Sequence, residues 1–287
     1  MIFALLTALA ISGAPERPGV EVVLVVPPGE KPWPDAQERL DPAMQDVRWW
    51  YSCQLEAYGH GMKTFSLELD EHGKVVVHIA YLKEAVKPDG EVPRSVIQAA
   101  DSVCGDVGQR QGTVLLIYYG DYYWSDRGKY QVWPAGRGLI GRWAALNAWH
   151  YFSINPAGWN SALRVPKLPL NNPFFPELHT RVLQAFGGDG DRSVAERTSV
   201  AYGSIMHELG HAFGLHHPGS HPRGDVMAGD YWNVRGNFLP DILSESCCLS
   251  PGDAEVLNKN PLFQRREVRP PSTGAGRRVG MRGAVAG

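Results

Sequence analysis

The stretch HELGHAFGLHH, residues 207–217, places four of the chain's ten histidines within eleven residues, together with one glutamate and two interior glycines. Neutral imidazole is the commonest metal ligand and a poor filler of an apolar core, so this density points to an ion. On an α-helix His207 and His211 stand one turn apart, about 6 Å in rise and about 40° in rotation, and both rings project from one face. His217 lies six residues beyond His211, and an unbroken helix would turn it about 120° away. It joins the pair only if the helix ends. Gly214 sits where that end is needed, because glycine takes up the left-handed conformation that closes a helix and redirects the chain. The spacing predicts His207 and His211 as ligands on a helix and His217 as a third delivered by the turn.

Three imidazoles leave one tetrahedral position open, the arrangement of a catalytic rather than a structural zinc. Glu208, next to the first ligand, is placed to take a proton from water at that position, whose pKa zinc lowers toward about 7. The chemistry implied is metal-assisted hydrolysis of a carbonyl compound. One zinc ion is the expected cofactor; imidazole also suits copper, nickel and iron.

Periodicity and turn chemistry indicate the elements that must position these residues. Ser193-Val-Ala-Glu196 is a capping box that starts a helix running into the histidine stretch. Glu21 to Pro27 is a β-branched run of the kind buried on both faces of a sheet. Residues 41–58 place Met44, Val47, Trp50 (or Tyr51) and Leu55 at helical spacing, with Pro42 in the first turn. KTFSLELDEHGKVVVHIAYL reads as a hairpin about Asp70–Gly73. A helix over 93–104 and a buried strand over 112–119 follow. Residues 120–175, rich in Trp, Tyr, Gly, Pro and Asn, read as an irregular insertion around an edge strand near 149–152. Ser250-Pro-Gly-Asp253 opens a last helix to about Lys259.

The pattern H-E-x-x-H-x-x-G-x-x-H, matched at His207, Glu208, His211, Gly214 and His217, resembles the metzincin group of zinc metalloendopeptidases. The resemblance implies a methionine in a tight turn beneath the metal, and Asp225-Val-Met-Ala-Gly229 offers Met227. It also implies an α+β, zincin-like fold over residues 20–263: a twisted mixed β-sheet with two long helices above a zinc cleft, then an irregular lower subdomain with the Met-turn and a C-terminal helix. His216 lacks the G-x-x-H spacing and His221 lies beyond Pro218 and Gly219, so both read as surface or neighbouring groups. Pro218, after the third ligand, assigns no subfamily. Some members carry a tyrosine two residues after the methionine; here Gly229 stands there and Tyr231 two further on, so Tyr231 reads as ordinary packing.

With 28 basic and 30 acidic residues, the chain has no overall field favouring nucleic acid or an acidic membrane. Met1 to Ala14 read as a secretory signal, residues 15–263 as the catalytic domain, and the Arg-, Pro- and Gly-rich stretch 264–287 as a disordered basic tail. No later segment is apolar for long enough to span a bilayer. Cys53 and Cys104, each in a helical segment, are read either as bridging two helices or as buried free thiols; Cys247 and Cys248 complete an even set. Tyr118, Tyr119, Tyr122, Tyr123 and Trp124, with Trp143, Trp149 and Tyr151, either border a cleft or pack in the core. The loop GGDGD at 187–191 more simply introduces a helix than holds calcium. Together these readings imply a secreted, monomeric zinc endopeptidase acting on protein or peptide substrates. In it His207, His211 and His217 bind zinc, Glu208 is general base and later proton donor, and Met227 and Gly214 support the site. A zinc hydrolase of a non-peptide amide or ester, and a catalytically silent metal-binding module, are the alternatives.

Overall fold

The computed structural model describes residues 19–84, 94–105, 114–119, 142–147, 151, 153–159, 161, 193–220, 222–228, 234–239 and 246–271. In chain order the elements are β1 (Val20–Val26), α1 (Ala36–Ala57), β2 (Lys63–Thr64), β3 (Val77–Tyr81), α2 (Arg94–Cys104), β4 (Val114–Tyr119), β5 (Arg142–Asn147), α3 (Val194–Ala212), α4 (Arg235–Phe238), α5 (Pro251–Lys259) and β6 (Gln264–Arg265).

The run VEVVLVV of β1 is buried at every position and lies inside a four-stranded sheet of order β3-β1-β4-β5. Side chains alternate across it. Val20, Val22, Leu24 and Val26 enter the main core with residues of α1 and α3. Val23 and Val25 enter a smaller core with Val96, Ala100 and Cys104 of α2. The strand thus separates two helical layers, which explains why it carries no polar alternation beyond Glu21.

Among the described residues all pairings in this sheet are parallel, where the sequence reading expects a mixed sheet. The reason lies in the connections: α1 intervenes between β1 and β3, and α2 between β3 and β4, and such crossovers return the chain in the same direction. Antiparallel pairing among the described residues is confined to β2 with β6 and to the bridge Leu69–Val75. That bridge closes the expected turn, where Asp70 Oδ1 accepts from the amides of His72 and Lys74. The hairpin ends there, because β3 leaves to pair with β1.

Three other expectations are corrected. Helix α1 begins at Ala36 rather than Asp41, so Pro42 lies inside it. There Pro42 supplies no amide for the preceding turn, which a start at Asp41 would have avoided. The strand expected near 149–152 lies at Arg142–Asn147, while Tyr151 and Ser153 are helical; the Tyr151 hydroxyl donates to Asp35 (2.6 Å) and its ring stacks on Trp33. The folded part also extends past residue 263, since Gln264 and Arg265 pair with Thr64 and Lys63 and Val268 packs on the main core. Residues 1–14, the rest of the basic tail from 272 and the loop 187–191 lie outside the described residues. No helix among the described residues is long and apolar enough to cross a membrane.

Cys53 packs against the main core and Cys104 within the smaller one, on opposite sides of β1, so these two thiols do not bridge. None of the four cysteines forms a disulfide. Alkylation in denaturant without reductant is expected to label all four, as read by intact mass; a protected Cys53–Cys104 pair would contradict this layering.

Candidate metal centre

Helix α3 starts on a complete capping box: the Glu196 amide donates to Ser193 Oγ (3.2 Å) and the Ser193 amide to Glu196 Oε2 (2.6 Å). From Arg197 to Ala212 it is buried on all sides, so its polar side chains face protein rather than water. The helix closes in a Schellman motif, with Gly214 N–H donating to His211 O (2.9 Å) and Leu215 N–H to Gly210 O (2.9 Å). Gly214 takes φ +100°, the left-handed turn expected of it.

This turn brings three rings together. His207 Nδ1 lies 2.7 Å from Val226 O, and His211 Nδ1 lies 3.0 Å from Leu215 O. A carbonyl oxygen only accepts, so each Nδ1 is assigned the proton and each Nε2 keeps a lone pair. The three Nε2 atoms converge: His207 to His211 3.1 Å, His207 to His217 3.1 Å, His211 to His217 3.0 Å. Tetrahedral ligation at a Zn–N length of about 2.0–2.1 Å separates nitrogens by about 3.3 Å, so this triangle fits such an ion with a few tenths of an ångström of adjustment. His207 and His211 are buried and His217 is exposed, which leaves the site open on one side. Burial holds the His207 imidazole down at about 3 and lowers His211 as well, so neither takes a proton readily to relieve the crowding of lone pairs. A cation relieves it.

Glu208 follows the first of these histidines on the same helix and is buried. Its Oε2 has no hydrogen-bond partner among the described residues, and burial raises its carboxyl well above the ordinary range. That oxygen is a buried polar atom on the residue that follows the first of the three histidines, the kind of group that calls for an explanation in a native structure.

Met227 is fully buried in a single 3-10 turn, Val226–Ala228. Asp225 ties that turn by accepting from the Met227 amide through Oδ1 (2.7 Å) and from the Ala228 amide through its carbonyl (3.1 Å). A Cβ at Gly210 would stand 2.7 Å from Met227 Sδ, so the thioether lies against α3 between the two helical histidines. The turn is anchored in series. Cys248 N–H donates to Gly224 O (2.7 Å) and Val226 N–H to Cys248 O (2.9 Å). Asn237 holds Cys247 by two side-chain bonds, and Gln54 of α1 and its C-cap residue Tyr58 hold the amide and carbonyl of Leu249.

Of the residues singled out in the sequence, His207, His211 and His217 meet at one point, Gly214 makes the turn and Met227 lies beneath α3. His216 is exposed and outside the triad. Tyr151 belongs to the core and Trp143 packs against the smaller one. Tyr118 and Tyr119 lie in β4; His221, Tyr231, Tyr122, Tyr123, Trp124 and Trp149 lie outside the described residues. The carbonyls of Val226 and Leu215, which orient the rings, carry no residue-type signal in a sequence.

No family model and no curated protein matches the chain. Among solved structures it is similar to OgpA from Akkermansia muciniphila. The wild-type enzyme aligns with TM-score 0.54 at 16% identity over 92% of this chain and 67% of that one. A catalytically inactive form in complex with an O-glycopeptide substrate, glycodrosocin, aligns with TM-score 0.52 at 15% identity over 83% of this chain. The alignment spans only 58% of that neighbour's length. At this identity the likeness concerns the fold.

The Gly210–Met227 contact makes a signed prediction. Gly210→Ala overpacks a buried thioether and is expected to destabilise the protein by about 1–3 kcal/mol. In a Met227→Ala background the same change is expected to stabilise by about 0.5–1 kcal/mol, because alanine suits a helix interior better than glycine. Urea unfolding of the double-mutant cycle measures both; equal effects in the two backgrounds would show that the thioether does not bear on α3.

Proposed function

We propose that the protein is a secreted zinc endopeptidase of metzincin type, working as a monomer on protein or peptide substrates. The observation that carries this reading is the convergence of three histidine Nε2 atoms, with the glutamate next to the first of them in the helix holding a buried Oε2 that has no partner among the described residues. His207, His211 and His217 hold the ion, and Met227 is the methionine of the Met-turn. Zinc, when bound, polarises the scissile carbonyl and lowers the pKa of water toward about 7. Glu208 takes one proton from the attacking water as its oxygen adds to the carbonyl carbon. It delivers that proton to the amine nitrogen as the C–N bond breaks, so it ends each cycle as it began. Burial suits it to this double role, since a carboxyl with a raised pKa retains the proton between the two steps. Export is supported by the apolar run from Met1 to Ala14.

The likeness to OgpA, which was captured with an O-glycopeptide, supports O-glycosylated peptides as the substrates to test first. Two experiments check the proposal. Glu208→Gln is expected to retain stoichiometric zinc and lose at least about 10²-fold in kcat, while His217→Ala loses the metal; full activity in the glutamine variant would sink the mechanism. A chelator-controlled digest of an O-glycoprotein before and after enzymatic removal of its glycans is expected to show cleavage that stops on chelation and falls on deglycosylation. Cleavage unaffected by either treatment would remove both the metal and the glycan from the reading.

A further inference from the structure

The histidine turn is held from a distance by a residue that no motif marks. Asn260 is the C-cap of α5 and is buried. Its side-chain amide donates to Phe213 O (2.9 Å), forty-seven residues earlier in the chain, while its side-chain oxygen accepts from the Leu262 amide (3.0 Å). Phe213 is the C-cap of α3 and is itself buried, so its carbonyl has neither a helical partner ahead of it nor bulk water around it. The same peptide unit carries the Gly214 amide, which donates to His211 O. The Phe213–Gly214 peptide plane is therefore gripped on both edges, by the helix on one side and by Asn260 on the other.

Everything metal-directed beyond that plane depends on its orientation. Gly214 leaves it at φ +100°, Leu215 follows with the carbonyl that faces His211 Nδ1, and His217 comes two residues later. A plane free to rotate would move an acceptor for one ligand and the whole of another. We infer that Asn260 is a positioning residue for the metal centre: its amide locks the Phe213–Gly214 peptide and thereby sets the approach of His217 and the tautomer of His211. The inference rests on the proposed zinc function, and it concerns affinity and geometry rather than proton transfer.

Asn260→Asp and Asn260→Ala separate this role from simple loop support. Aspartate is nearly isosteric and keeps the acceptor for Leu262, but at pH 7.5 it has no proton to donate and faces the Phe213 carbonyl with a charge. Zinc affinity by competition with a chromophoric chelator is expected to fall about 10- to 100-fold in both variants, the usual effect of removing a group that orients metal ligands. The visible absorption of the cobalt(II)-loaded protein, which reports ligand geometry, is expected to shift in both. Aspartate at wild-type affinity with an unchanged cobalt spectrum would overturn the inference. Loss of cooperative unfolding in both variants would overturn it equally, by assigning Asn260 to the fold as a whole. Wild-type protein that binds no zinc would instead overturn the proposed function.

Discussion

The Nε2 atoms of His207 and His211 lie 3.1 Å apart, and with the proton of each ring on Nδ1 both present lone pairs and do not attract. Nothing between those two atoms holds them in place, so the arrangement has to be imposed by the surrounding protein. The imposition is made through ring nitrogens on the far side: Val226 O fixes His207 and Leu215 O fixes His211. Each bond also decides which nitrogen carries the proton, so orientation and chemical state are set by one contact.

The supports of these two carbonyls differ. Leu215 O is presented by the helix's own closing turn. Val226 O belongs to a segment stitched to Cys248, whose neighbours are held by Asn237, by Gln54 of α1 and by Tyr58 at that helix's C-cap. The phenol of Tyr51 adds a direct tie from α1 to α3, donating to Met206 O (2.6 Å) one residue before the first ligand. Helix α1 and its C-cap thus grip both α3 and the segment around Leu249 that supports the turn at Met227. The aromatic packing of Tyr51 with Phe65, Phe213 and Phe263 fills the space between these grips without further polar groups to satisfy.

What could be read in the sequence is what depends on short spacing. The ligands, the capping boxlike start at Ser193, the Ser250 start of the last helix and the left-handed Gly214 all follow from relations within eleven residues or fewer, where residue type nearly determines conformation. The buried run of β1 was legible for the same reason. The parallel order of the sheet was not, because it depends on where crossovers return the chain. Nor was the early start of α1, where tertiary burial of Ala36 and Leu40 outweighs the cost of Pro42 inside the helix. The groups that orient the ligands were hidden most completely: two are backbone carbonyls, which every residue possesses, and Asn260 is ordinary until its distance partner is known.

The separation between local ligands and remote supports has a kinetic meaning. All three imidazoles fall within eleven residues, so an unfolded chain already carries them at high mutual concentration, and a cation suited to the triad would meet them before the chain folds. The Val226 and Asn260 contacts close loops of nineteen and forty-seven residues and exist only in the finished structure. A metal held there would therefore stabilise the native state only by the difference between a loosely and a rigidly presented triad, and that difference resides in residues outside the triad.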